Sequence, residues 1–324
     1  MTGAFAFPNT LMNKPRRDHS EQIHLLISRG MHVGDTPDAE EFLSKVSYYR
    51  LSGYFRYWQR DAFHGDNHFI DHCSLKQIRQ LYQTEQTLML LCKEVLQPIE
   101  IMLRTRFAYF YTELVAQTGE FATGTGFTAP RAPASPPPVE EYILRDLNRS
   151  KEAFVAHYRN SETAEQPYIA QNYSDMPIWV AVEALSFGTL SRLIAASKES
   201  GVLNALADSI STSRAYLPGQ IRAFVYLRNR IAHCARIWNH SVLDVPGLPP
   251  NIRRRAQRNH RNFDDHSIYK IFVALDEVAK RANITSDWLS KKIDPLLDKN
   301  PLLAAGIATP RKYGEIPTEL LTEK

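Results

Sequence analysis

From Ser74 to about Thr118 the chain repeats apolar side chains at steps of three and four: Ile78, Leu81, Tyr82, Leu88, Leu91, Cys92, Val95, Ile99, Met102, Leu103 and Phe107. That spacing is the period of one helix face. It is the longest helical pattern in the chain, and such a stripe needs other elements to bury it. Ser74 supplies an N-cap. Pro98 lacks an amide hydrogen and crowds the preceding turn, so a kink or a split is expected there.

Shorter helical patterns surround this one. The first starts at Ser20 and ends before Gly30, and a second runs from Pro37 to Val46. Ser47–Trp58 is dense in tyrosine and tryptophan and reads as a packed, partly irregular element. Helices are expected over Val139–Tyr158, from Pro177 to Gly188, from Thr189, from Pro218, over Ser267–Arg281 and near Asp287. Strand-like alternation is scarce and there is no internal repeat, so the fold class is all-α. Four regions are expected: a loose tail over 1–13, a helical region over 14–72, a helical domain over 73–290 and a C-terminal segment over 291–324. Within the third, the glycine- and proline-rich stretch 119–138 reads as a flexible loop.

The chain of 324 residues is long enough for a sizeable core, and 44% hydrophobic with 23% charged residues is a globular balance. A net charge of +4 does not mark a nucleic-acid binder by itself. Cys73, Cys92 and Cys234 are an odd, scattered set, which argues against a disulfide framework and a cysteine zinc site. The N-terminus has no signal-peptide pattern and no run is long enough to span a membrane, so a cytoplasmic protein without membrane contact is expected.

Ile221–Trp238 reads IRAFVYLRNRIAHCARIW. On a helix, at about 100° per residue, Ile221, Phe224, Val225, Leu227, Ile231, Ala232, Ala235 and Trp238 share a broad face with Arg228 near its middle. Arg230 falls opposite, toward solvent. A charge on an apolar stripe needs a partner. Asn229 and His233, four apart, are neighbours on one flank. An imidazole that titrates near neutral pH and a guanidinium that matches phosphate geometry suit phosphodiester cleavage. RNA brings its own nucleophile, the 2′-hydroxyl. The plainer alternative pairs Arg228 with an internal carboxylate and leaves His233 a structural cap.

RNRIAH matches the R-N-x-x-x-H form of the arginine–histidine motif of HEPN RNases, and LRNRIAHCARIWN resembles the signature of the Abi family of bacterial abortive-infection proteins, of the D/F type. Four further blocks agree in order. They are KPRRDHSEQIHLLISRGMHV, FLSKVSYYRLSGYF, PIEIMLRTRFAYF, with Glu100 and Arg104 at matching positions, and DMPIWVAVEALSFGTLS. The chain departs from the family at LYQTEQTLM, where an aspartate–arginine pair is usual, at Cys234, where a second histidine is frequent, and at the proline-rich 119–138. The resemblance implies a HEPN-type helical bundle with an N-terminal helical extension. It implies a metal-independent RNA endonuclease toxin of phage defence that needs no cofactor, with Arg228, Asn229 and His233 catalytic. RNA as substrate, a second copy of the chain forming a composite site, and an antitoxin of protein or RNA are the partners it implies. The alternative function is a non-catalytic HEPN module for RNA binding or dimerisation.

Other signals carry two readings each. Arg253, Arg254, Arg255, Arg258 and Arg261 either bind RNA phosphates or form a solvated segment. Arg104 either supports the site or forms a pair with Glu100. His64, His68 and His72 would suggest a metal on a helix, but Gly65 and Asp66 read as a turn and no metal site is assigned. The tyrosines of SYYRLSGYF either stack bases or build an aromatic core.

Overall fold

The computed structural model describes residues 15–129, 136–160 and 167–322. The expected tail over 1–13 and the prolines at 130 and 133 lie outside the described residues. The described chain is all-α apart from one two-stranded antiparallel hairpin. In chain order the elements are α1 (His19–Ser28), α2 (Thr36–Lys45), α3 (Tyr48–Phe55), β1 (Gln59–Asp61), β2 (Asp66–Phe69) and α4 (Leu75–Leu114). Then follow α5 (Val139–Arg149), α6 (Ala153–Tyr158), α7 (Ile178–Ala184), α8 (Phe187–Ala196), α9 (Val202–Ser209) and α10 (Leu217–Ala232). The last are α11 (Pro250–Asn259), α12 (Ile268–Arg281), a π-helical turn at Leu289–Ile293, α13 (Asp294–Asp298), α14 (Pro301–Ala308) and α15 (Thr318–Leu321). No helix of the described residues is long and apolar enough to cross a membrane.

Two compact units divide the chain at 83/84 and 310/311, the first boundary falling inside α4. The first unit joins residues up to Gln83 with the segment from Arg311. Its aromatic core holds Tyr54, Phe55, Trp58 and Phe69, all buried. The Trp58 indole donates to the carbonyl of Leu321 at 2.7 Å, which ties the end of the chain into this unit. Local signals set its helices. Asp18 accepts from the Glu21 amide while Glu21 accepts from the Asp18 amide, both at 2.8 Å, a reciprocal cap that starts α1 ahead of Ser20.

The second unit, Thr84–Pro310, contains α10 packed on α8 and α12. α12 is buried along nearly its whole length. α4 runs through Pro98 as one helix, so of the kink or split expected there the split does not occur. An interior proline costs about 3 kcal/mol. Val95, Leu96, Ile99 and Leu103 are all buried around it, and at about 1.5–3 kcal/mol each their burial outweighs that cost. The helices expected over 139–158 are two, α5 and α6, separated at Ser150. Ser150 leaves the helical region at φ −68°, ψ 134°, and its hydroxyl accepts from the Glu152 amide at 3.3 Å. A short polar side chain competes here with the helical ladder.

The stretch 119–138 is not a loose loop where it is described. Glu120–Thr123 form a 3₁₀ turn with Phe121 and Ala122 buried, and Phe127 stacks on Tyr111 at 5.5 Å. Gly119, at φ +72°, lets the backbone approach so closely that a Cβ there would stand 2.3 Å from the Ser174 carbonyl oxygen. The composition that suggested flexibility serves close packing.

Gly306 in α14 meets the Trp238 indole in the same way. A Cβ would lie 2.4 Å from Nε1, which itself donates to the Leu302 carbonyl at 2.9 Å. Gly306→Ala is therefore expected to destabilise the protein by about 1–3 kcal/mol, lowering the melting temperature and altering tryptophan fluorescence. Gly219→Ala in α10, with nothing within 4 Å of its Cβ position, is expected to be neutral or stabilising. Equal melting temperatures for the two variants would contradict this packing.

Candidate functional site

The site begins with how α10 ends. Ile221, Ala223, Phe224 and Leu227 bury one face, and the helix stops at Ala232 with His233 as its C-cap. It does not continue to Trp238 as the periodicity suggested. The Ala235 amide donates to the Arg230 carbonyl at 2.8 Å and the Cys234 amide to that of Ile231 at 3.0 Å. This is the Schellman pattern of helix termination, with Cys234 at φ +49° where glycine is usual. A left-handed non-glycine residue costs about 1–2 kcal/mol, so neighbouring groups must hold the turn.

Three groups do so. Glu85, fully buried on α4, accepts from the backbone amides of Ile237 and Trp238, both at 2.6 Å. Arg230 reaches back and donates through Nε to the Arg236 carbonyl at 3.1 Å. Its guanidinium thus braces the turn and is half-buried, instead of pointing freely into solvent. Tyr226 bonds His240, and their rings stack at 5.9 Å. Glu85 and the Tyr226–His240 pair escaped the sequence reading. Glu85 had a signal: it is a charge at helical spacing between Leu81 and Leu88.

Glu100 of α4 joins the motif to the rest of the unit. Its carboxylate accepts from Arg228 Nε at 3.2 Å and Nη2 at 3.1 Å, a two-pronged contact, and from Arg104 Nη2 at 2.6 Å. The side chains of Arg104, Glu100 and Arg228 are 10%, 13% and 38% exposed. Arg104 also donates through Nη1 to the carbonyls of Val182 and Leu185, the latter at 2.7 Å, and so closes the end of α7. Arg228 Nη1 donates to Asn229 Oδ1 at 3.1 Å. Both arginines therefore have the pairing that the plainer alternative required. The cluster nevertheless holds two cations to one carboxylate. It opens on a groove of about 750 Å³ whose apolar wall includes Met89, Leu90, Ile101 and Ile231. His233 is exposed on the turn, its amide bonded to the Asn229 carbonyl at 3.0 Å.

The remaining candidates separate. Arg253 pairs with Asp265, Arg255 with Glu277 at 2.5 Å, and Arg261 with Asp298 at 2.6 Å. Arg254 and Arg258, four apart on α11, are exposed and make no ion pair among the described residues. His64 and His68 sit on the β-hairpin, each beside its own carboxylate, Asp61 at 2.7 Å and Asp66 at 2.8 Å. Among the described residues no group of three or more histidine, cysteine or acidic side chains is placed to hold a metal ion. Of the tyrosine-rich segment, Tyr54 is core and Tyr49 is exposed.

Fold and site together define an all-helical protein whose polar centre is a capped helix end carrying arginine, asparagine and histidine, clamped to a neighbouring long helix by one shared carboxylate. A family model described as Abi-like protein matches residues 41–239, well over half of the chain, and ends on the braced turn. The chain belongs to this Abi-like family. No curated protein matches it, and no solved structure does.

The turn makes its own pH dependence. Burial holds the His240 imidazole neutral, aided by the charges of Arg230 and Arg236, and its pKa falls from 6.5 to about 4. The folded value lies below the unfolded one, so the unfolded chain takes up the proton first. Stability from this group is complete above about pH 6.5 and is lost as pH falls toward 4. Thermal melts across that window should show a falling midpoint, and His240→Gln should flatten this limb. An unchanged limb in the variant would show that His240 is not held neutral.

Proposed function

We propose that this protein is a HEPN-type RNA endonuclease acting in abortive infection. The observation that carries the reading is the Arg228 guanidinium, fixed by Glu100 and Asn229 at a helix end whose next turn presents His233 to solvent. In the proposed reaction the 2′-oxygen attacks the adjacent phosphorus, forming one oxygen–phosphorus bond as the bond to the 5′-oxygen breaks. Arg228 balances the charge on the phosphoryl oxygens. An imidazole takes the 2′-hydroxyl proton and a second one returns a proton to the 5′-oxygen. One chain offers one motif histidine, so the two roles are filled by two copies meeting across the groove. Leu90 and Ile101, exposed on α4 beside the cluster, are the apolar surface such a pairing would cover.

A second reading has its own support. Because Glu100 satisfies Arg228 within one chain, the motif could serve as a structural clamp in a non-catalytic RNA-binding or dimerisation module. Activity separates the two.

With RNA and excess chelator, the wild-type protein should cleave. His233→Ala and Arg228→Ala should each lower the rate by about 10²–10⁴-fold. Melts must accompany Arg228→Ala, since Glu100 is left a partner short, a loss of about 3–5 kcal/mol for a fully buried pair and smaller where the arginine is 38% exposed. Arg230→Ala should lose stability through the freed Arg236 carbonyl, about 1–3 kcal/mol, while its folded fraction still cleaves. A folded wild-type protein that binds RNA without cutting it, or cuts only when magnesium is restored, would refute the proposal.

A further inference from the structure

On the other flank of α10 lies a second cavity, of about 580 Å³, between α5, α8 and α10. Its wall includes Tyr142, Ser191, Arg192, Arg222, Tyr226 and Asn229. Ser191 is 4% exposed and its hydroxyl oxygen has no hydrogen-bond partner among the described residues. A buried hydroxyl left unsatisfied costs about 1–3 kcal/mol, and rotation of this side chain about χ1 toward the cavity would give it a ligand partner. Arg192 lies 4.4 Å and Arg145 4.8 Å from the centre of the Tyr142 ring. Arg192 and Arg222 are exposed and make no ion pair among the described residues. Asp244 at the wall is a single carboxylate against these cations.

Cations beside stacked aromatic surface, with a buried hydroxyl and an amide, match a phosphate joined to a base. The guanidinium–tyrosine stack takes a flat ring, while Arg222 and Arg192 reach its phosphate. The volume lies within the range for small-ligand sites, roughly 300–1,000 Å³. A concave pocket admits a base splayed out of a single strand and not one paired in a helix. Asn229 belongs to both sides: it lines this cavity and its Oδ1 accepts from Arg228. α10 thus forms the wall between the cavity and the motif.

We propose that this cavity is a subsite for one nucleotide of a single-stranded RNA, adjoining the phosphate that the motif addresses. Its place beside a scissile phosphate rests on the proposed endonuclease reading; its chemistry as a nucleotide site does not.

The test is binding of a short single-stranded 2′-O-methyl RNA, whose blocked 2′-oxygen prevents cleavage, followed by fluorescence anisotropy over a salt series. The double variant Arg192→Ala/Arg222→Ala should weaken binding about tenfold or more. It should also lower the slope of log affinity against log salt by about 0.7, the share of the one phosphate no longer neutralised. Ser191→Ala should weaken binding without lowering the melting temperature. A parallel titration with the four nucleoside monophosphates distinguishes a free nucleotide from a strand: binding as tight as the oligonucleotide's would overturn the RNA assignment. Unchanged affinity and slope in the double variant, or no binding by the wild-type protein, would overturn the subsite. Binding that responds as expected in a protein that never cleaves RNA would refute the endonuclease reading and leave the subsite standing.

Discussion

The carboxylate of Glu100 sits between two guanidinium groups that come from different directions. Arg104, one turn along α4, ties it to the end of α7; Arg228 ties it to α10. A carboxylate this buried is costly alone, and so is each arginine; together they exchange hydration for short, charge-assisted bonds. The balance is uneven, two positive charges to one negative. The surplus charge resides on the most exposed member, Arg228, at the edge of a groove. One interaction thereby fixes the relative placement of three helices and leaves a directed cation where a phosphate could meet it.

The second constraint is the turn that follows. Helix α10 could have continued, since nothing in RIAHCARIW breaks a helix. It stops because other parts of the chain hold the next residues in a different path. Glu85 takes two amides, Arg230 a carbonyl, and Trp238 is wedged over Gly306 with its indole bonded to Leu302. These contacts sustain a left-handed Cys234 beside His233. Local strain next to the candidate catalytic histidine, maintained by distant residues, is the arrangement expected of a site whose geometry matters.

Where the sequence could be read, local chemistry sufficed. The period of α4, the cap at Ser74, and the spacing of Arg228, Asn229 and His233 are all written within a few residues. The failures share one cause, tertiary contacts that override local preference. Pro98 passes through α4 because both sides of it are buried. Arg230 leaves its solvent-facing position because a carbonyl six residues on needs a donor. Gly119 reads as flexible in a string of small residues until the Ser174 backbone is found pressed against it. The arginine-rich segment 253–261, open in the sequence to a phosphate-binding or a solvated reading, has three of its five arginines paired with carboxylates of α12, of α13 and of the loop before α12.

The central claim is that the helix end around Arg228 and His233 performs transesterification on RNA. The most direct measurement is the chemical identity of the two new RNA ends produced by purified protein. The account predicts a 2′,3′-cyclic phosphate on the upstream fragment and a free 5′-hydroxyl on the downstream one. A 5′-phosphate paired with a 3′-hydroxyl would mean that water, not the 2′-oxygen, attacks the phosphorus, and would contradict it.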